Sequence, residues 1–287
     1  MATTRPATFS GQFYPADDTT CNHMLDEFFG VAAPAAAPGG IVPHAGWVYS
    51  GATAALTIAA VAAYEPETVV VFGAAHGPDR NLASLAPFGA WNTPLGPIET
   101  DKELAGLLLR CKGIESSETA HTHEHSIEVQ LPMLKRALPD AKIVAINVRP
   151  SGSADDIGRE CAEVVRRSTK KVAFLGSTDL THYGMAFGFE PQGRGAAGIR
   201  WAKEVNDRRF IELIQAMRSD AVVAEATVHR NACGSGAVAA TIGAMNVLGS
   251  PGYDELAHTC SAEVTAIEGR SPMNSVGYEA GAFRMPH

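Results

Sequence analysis

Two short apolar runs that each end on a histidine constrain this chain more than any other feature. They are IVPHAGWVYSG (Ile41 to Gly51) and VVVFGAAHGP (Val69 to Pro78). Both are rich in Val, Ile and Phe and lack polar alternation, the pattern of a strand covered on both faces, and both break at Pro or Gly where His44 and His76 stand. In an open α/β sheet, ligands gather outside the carboxyl ends of the strands. Two imidazoles placed there therefore point to a shared site, a metal site first of all. The bland alternative for each is a loop histidine satisfied by backbone.

The remaining apolar segments alternate between strand and helix. A helix is expected over Thr19 to Phe29 and an Ala-rich one after His44, with Ser50 as its cap. Gly and Pro in ASLAPFGAWNTPLGPIETD suggest a hairpin-like excursion, and helical spacing resumes over Lys102 to Arg110. Then come a helix (Glu124 to Ala137), a strand (Lys142 to Val148), a helix (Ala154 to Arg167) and a strand (Lys171 to Gly176). A long amphipathic helix (Ile199 to Met217), a small-residue helix (Gly236 to Leu248) and two strands, around Leu256 to Ala266 and Ser275 to Arg284, finish the chain. This order predicts a single α/β domain, residues 1–287, with a mostly parallel or mixed central sheet and helices on both faces.

Composition narrows the function classes. A formal charge of −8 over 287 residues, with no Lys/Arg run, argues against a nucleic-acid or anionic-membrane partner and for a small molecule or a protein. The start has no apolar segment of signal-peptide type, and the longest apolar stretch, Ala52 to Tyr64, is too short to span a bilayer. A cytoplasmic protein is expected. Five scattered cysteines without a CxxC pair fit reduced thiols.

Three further clusters have site-like composition. HTHEHSIEVQLPML holds His121, His123, Glu124 and His125, but lacks the spacing of a zincin helix; His121 and His123 read as exposed loop residues. FLGSTDLTHYG runs from a strand into Ser177, Asp179 and His182, either facing the same crevice or forming a helix cap with a surface histidine. In RNACGSGA, Cys233 precedes glycines at a helix start, the one cysteine in a reactive or ligating setting. GRGAAG (Gly193 to Gly198) has the spacing of a dinucleotide loop but no strand before it, so it is set aside.

Taken in order, GQFYP (Gly11 to Pro15), PHAGWVYSG (Pro43 to Gly51), GAAHG (Gly73 to Gly77), NTPLG (Asn92 to Gly96), EHSIEVQLP (Glu124 to Pro132), STDLTHYG (Ser177 to Gly184), NACG (Asn231 to Gly234) and SVGY (Ser275 to Tyr278) resemble the Memo family across nearly the whole chain. The resemblance implies the fold of class III extradiol ring-cleavage dioxygenases, which are non-haem iron enzymes. It also implies metal ligation by His44 and His76, with Cys233 in place of the dioxygenase carboxylate and Asp179 as the rival third ligand. His125 and His182, with Asp179 beside them, match acid–base positions. Phe13, where the family often has Trp, and Tyr49 correspond to pocket-lining positions, and Trp47 is expected with them on the rim. A thiolate keeps the anionic charge of a carboxylate but is softer, which favours copper or zinc more than a carboxylate does and exposes sulfur to oxidation. The expected function is an Fe(II)-dependent, dioxygenase-like oxidoreductase of unknown substrate; the alternative is a non-catalytic module that binds a peptide or metabolite in the same pocket. In bacteria and archaea the resemblance also implies a radical SAM pathway partner.

Overall fold

In the computed structural model, which describes residues 3–30, 34–266 and 272–286, the two apolar runs lie in the middle of one mixed sheet. Its strands are β1 (Gly39–Val42), β2 (Thr68–Ala74), β3 (Ala83–Leu85), β4 (Ile114–Ser116), β5 (Lys142–Val148), β6 (Val172–Ser177), β7 (His182–Gly184), β8 (Tyr253–Cys260) and β9 (Asn274–Phe283). The nine strands run in the order β7-β9-β1-β6-β2-β5-β3-β4, with β8 also paired to β9. The central strands β1, β6, β2 and β5 are parallel. Towards the edges, β3 joins β5 antiparallel, and β9 pairs antiparallel with β1, β7 and β8. The sheet is therefore mixed, and the tail closes one side of it as a long antiparallel pair.

Two-sided burial of β2 accounts for its unbroken apolar run. Val70 and Phe72 project into a core shared with helices α4 (Ala154–Arg166) and α5 (Ser235–Leu248). Val69 and Val71 project the opposite way, into a core shared with α1 (Asp18–Phe29), α2 (Trp47–Ala63) and α3 (Leu131–Ala137). Successive strand residues point to opposite faces, so both must be apolar when helices cover both. Each such side chain contributes about 1.5–3 kcal/mol by leaving water.

Three local expectations are corrected. Helix α2 starts beyond Gly46, and the Ser50 hydroxyl, already inside the helix, donates back to the Ala45 carbonyl (3.1 Å) instead of capping it. The expected helix from Glu124 becomes a 3₁₀ turn (Glu128–Gln130) that leads into α3, with Pro132 in the first turn, where a missing N–H costs nothing. The long helix expected over Ile199 to Met217 is broken by a π-helical segment (Ala202–Asp207) between two α-helical stretches (Ala196–Trp201 and Arg208–Gln215). Among the described residues, no helix is long and apolar enough to cross a membrane.

Candidate metal centre

Chain direction explains why distant segments meet. The parallel strands β1, β2 and β6 all end on the same edge of the sheet, so the residues just beyond them, His44, His76 and the Ser177 to His182 segment, are delivered to one crevice. Cys233 arrives from the other direction, at the amino end of α5. Its neighbour Gly234 lies so close to β6 that a Cβ there would collide with the Ser177 carbonyl. Only glycine lets the helix start approach the strand end at this distance.

His44, His76 and His125 each offer a ligand atom, and these atoms all lie within 4.8 Å of one another. The His76 and His125 rings stack at 5.1 Å with planes 7° apart, while His44 stands nearly perpendicular to both (80° and 87°). Cys233 joins through its Sγ, 3.1 Å from Nε2 of His44. Donors around a small tetrahedral ion stand about 3.5 Å apart, so small adjustments would bring these groups to one ion. The expected ligands His44, His76 and Cys233 are thus neighbours. His125, expected from the resemblance to move protons, stands among them as a fourth donor.

Hydrogen bonds behind the rings decide which nitrogens face the centre. The Ser177 hydroxyl donates to the Ser126 carbonyl (2.8 Å), which leaves it only lone pairs for Nδ1 of His44 at 2.9 Å. Nδ1 must therefore carry the proton, and Nε2 of His44 is a bare donor pointing at the thiol. The Glu124 carboxylate, 3% exposed, performs the same service for His76: Oε1 faces Nδ1 at 3.1 Å and Oε2 accepts from the backbone N–H at 3.0 Å. Its Oε1 also accepts from the Ser126 N–H (2.9 Å). Glu124 and Ser177 lie in segments that the sequence singles out, yet no role as ring-orienting groups can be read for them there. Among the described residues Asp179 makes no hydrogen bond to a ring: its Oδ1 accepts from the backbone N–H groups of His44 (2.7 Å) and Ala45 (3.2 Å), fixing the turn that carries His44.

The electrostatics follow from this arrangement. Burial, reinforced by the charges of His76 and His125, keeps the His44 imidazole well below the ordinary histidine range. Burial also pushes His125 down to about 4, against the pull of Glu124 and with the help of His76 and His182. Burial opposes a proton on His76 as well, but the neighbouring Cys233 and Glu124 outweigh it and lift this ring to about 10. Glu124, which burial alone would raise, is held well below the usual carboxylate range by the His76 hydrogen bond and charge. The cluster thus holds two neutral imidazoles and one that shares a proton with acidic neighbours. A metal ion would take the place of that proton on His76.

Beside the centre lies a cleft of about 520 Å³ whose walls include Phe13, Tyr49, His125, Asp179, His182 and Tyr278. The Phe13 ring covers His125 at 4.7 Å. It is positioned by an N-terminal arm in which the Phe9 N–H and the Tyr14 hydroxyl both donate to Glu128 (2.7 Å each) and buried Arg5 pairs with the same carboxylate. His182 hydrogen-bonds through Nδ1 to the Leu180 carbonyl (3.1 Å) and rests against Phe187. Trp47, expected on the rim, is instead turned into the core: it is 2% exposed, packs against Tyr14 and Phe28, and donates through Nε1 to the Val129 carbonyl (3.0 Å). An indole in a helix that covers the sheet buries its ring and satisfies its one N–H inside. His121, expected to be exposed, is fully buried with Nε2 on the Ser84 carbonyl (2.7 Å). A larger cleft of about 580 Å³ lies at the opposite end of the parallel strands, around Glu67, Asp101, Lys142 and Lys170, and holds none of the candidate residues.

Comparison with known proteins places this geometry among relatives. The profile of a family described as "Memo-like protein" matches residues 5–282. A MEMO1 family protein of Thermococcus onnurineus is 34% identical, covering 96% of this chain and 97% of its own. One from Methanopyrus kandleri is 32% identical, covering 98% and 99%.

Proposed function

The chain belongs to the Memo-like family, and on that footing we propose that it is a metalloprotein that holds Fe(II) through His44, His76 and Cys233, with His125 adjoining, and oxidises a small molecule in the neighbouring cleft. The observation that carries this reading is the convergence of three imidazole donors within 4.8 Å and of the Cys233 thiol 3.1 Å from one of them. The donor chemistry fits a transition metal, since imidazole and thiolate suit iron, copper and zinc far better than magnesium or calcium. When bound, Fe(II) supplies one-electron redox chemistry and Lewis acidity. The protein does the rest. Ser177 and Glu124 fix the tautomers, so that Nε2 of each ligand ring faces inward. His125 is pushed down to about 4, so it is neutral near pH 7 and offers a ring nitrogen to a metal or to a hydrogen bond from the substrate. Spending Nδ1 on the Leu180 carbonyl leaves Nε2 of His182 free to take or return a proton. Asp179 holds the His44 turn, and Phe13 packs against the His125 ring.

Anaerobic purification followed by metal analysis and oxygen-uptake measurements tests this. Iron is expected in the wild-type protein, and His44→Ala should lose at least about tenfold in metal affinity, as removal of a ligand does. Failure to take up iron, copper or zinc, or a His44→Ala variant that binds metal as well as wild type, removes the reading. Uptake of copper or zinc alone corrects the metal. A second reading, a module that binds a metabolite or peptide without turnover, draws support from the openness of the same cleft, where Tyr49 is 44% exposed. Oxygen consumption that requires Cys233 would exclude it.

A further inference from the structure

The cleft beside the metal centre contains a carboxylate that is only half satisfied. Asp179 is 4% exposed. Its Oδ1 is committed to the His44 and Ala45 N–H groups, while Oδ2 has no hydrogen-bond partner among the described residues. The residue forms part of the cleft wall, where Phe13, Tyr49, Phe187 and Tyr278 supply aromatic rings and no Lys or Arg stands among the described residues that line it. An acceptor oxygen of a cleft-lining side chain with no protein partner is open to a ligand, and a cationic donor makes the stronger, charge-assisted bond to it.

Aromatic faces receive an ammonium group favourably through their ring quadrupoles, and the same walls suit an apolar body.

We propose that the cleft receives a small primary amine with an apolar, preferably aromatic, body, its ammonium group donating to Oδ2 of Asp179 and its body lying among Phe13, Tyr49 and Phe187. The proposal rests on the reading above only in taking this cleft as the place of the substrate; it does not require a metal.

Calorimetric titration of the zinc-loaded and the metal-free protein with 2-phenylethylammonium, 2-phenylethanol and 3-phenylpropionate tests it. The three probes share a body and differ in charge. The ammonium should bind about tenfold or more tighter than the alcohol, with the carboxylate weakest, the increment expected of a charge-assisted hydrogen bond with aromatic contact. Asp179→Asn should erase the preference for the ammonium over the alcohol. Phe187→Leu alters only a partly exposed ring at the cleft edge, so the fold is kept, and it should weaken ammonium binding about threefold. Equal binding of ammonium and alcohol, tighter binding of the carboxylate, no binding of any probe, or an unchanged preference in Asp179→Asn each overturns the proposal. If none of iron, copper and zinc is taken up but the order of the probes holds in the metal-free protein, the metalloprotein reading fails and this one stands.

Discussion

Glu124 is the side chain on which the candidate centre depends without being part of it. One carboxylate holds both the ring and the backbone of His76 and, through the Ser126 N–H, the turn that leads out of His125. A ligand histidine oriented by a carboxylate is a better donor, and loss of such a partner typically costs about 10–100-fold in metal affinity. Glu124→Gln keeps the shape and one acceptor but loses the charge. It should therefore bind iron or zinc within that range more weakly than wild type, and its metal-free melting temperature should fall as well, because one of the buried donors of His76 or Ser126 loses its acceptor. Competition against a chromophoric chelator reads the affinity, and an unchanged constant would mean that the contact is only structural. His44, His76 and Cys233 are legible in the sequence because each stands where a strand ends or a helix begins, and such positions announce themselves through Pro and Gly. The orienting partners are not legible: Glu124 acts on a residue 48 positions away and Ser177 on one 133 positions away. Nothing local in a single chain encodes that pairing. Trp47 escapes a sequence reading for a related reason, since PHAGWVYSG has too few residues to reveal which side of its helix faces the core.

The elements themselves are more legible, because periodicity is local. The strand over Lys142 to Val148 agrees at both ends, and the helices at 18–29 and 154–166 agree with their expected spans to within a residue at each end. Legibility fails where a side chain competes with the helical backbone. Apolar spacing continues back through Ile127, but Glu124 takes the Ser126 N–H and draws that stretch out of the helix. The π-helical segment is hidden from sequence as well. It carries Asn206 and Asp207, which bond Thr181 through its hydroxyl (3.0 Å) and N–H (2.9 Å) and so brace the Asp179 to His182 segment from behind. Packing of α4 on α5 is a second demand that only the structure displays. Gly158 in α4 faces Ala240 of α5 so closely that a Cβ would overlap the Ala240 carbonyl. Gly158→Ala should accordingly cost about 3 kcal/mol or more, as overpacking against rigid backbone does. The helix it displaces begins beside Cys233, so metal affinity should fall along with stability. Gly106, also helical but with open space around it, provides the contrast: Gly106→Ala should stabilise by about 0.5–1 kcal/mol. Urea unfolding of both variants separates the two cases, and equal responses would show that the α4–α5 contact yields more easily than its geometry implies.

Across the sheet edge formed by the chain's tail, a buried polar network couples folding to pH. Arg208 forks onto Glu255 (2.5 and 2.6 Å) and donates to Nδ1 of His258 (2.8 Å), whose Nε2 reaches Asp207 (3.1 Å). In this way the helical stretch from Ala196 to Gln215 is fastened to β8. Glu279 of β9 lies beneath, fully buried, with the Tyr253 hydroxyl on one oxygen and, among the described residues, no partner on the other. Burial pushes its carboxyl up to about 8 from an ordinary 4.5, against the opposing hydrogen bond from Tyr253. The folded protein therefore keeps a proton on Glu279 that the unfolded chain releases. For a group whose folded value is raised, the stabilisation is fully present below the unfolded value, near 4.5, and is lost as pH rises through about 8. His121 works in the opposite sense: burial lowers it to about 4, so its contribution is lost as pH falls from about 6.5 towards 4. Because several groups titrate together, the informative quantity is the difference between wild type and Glu279→Gln. The glutamine retains the shape and the acceptor for Tyr253 but cannot ionise. At about pH 5 the two proteins should differ little. By about pH 8 the variant should be the more stable, by an amount on the order of a few kcal/mol, since each tenfold change in proton affinity between the folded and unfolded states is worth about 1.4 kcal/mol. Urea unfolding in the presence of a chelator, so that metal linkage does not intrude, measures this directly. A difference that stays flat between those two pH values would mean that Glu279 is ionised in the fold, and that Arg208 reaches it through the network strongly enough to balance its burial.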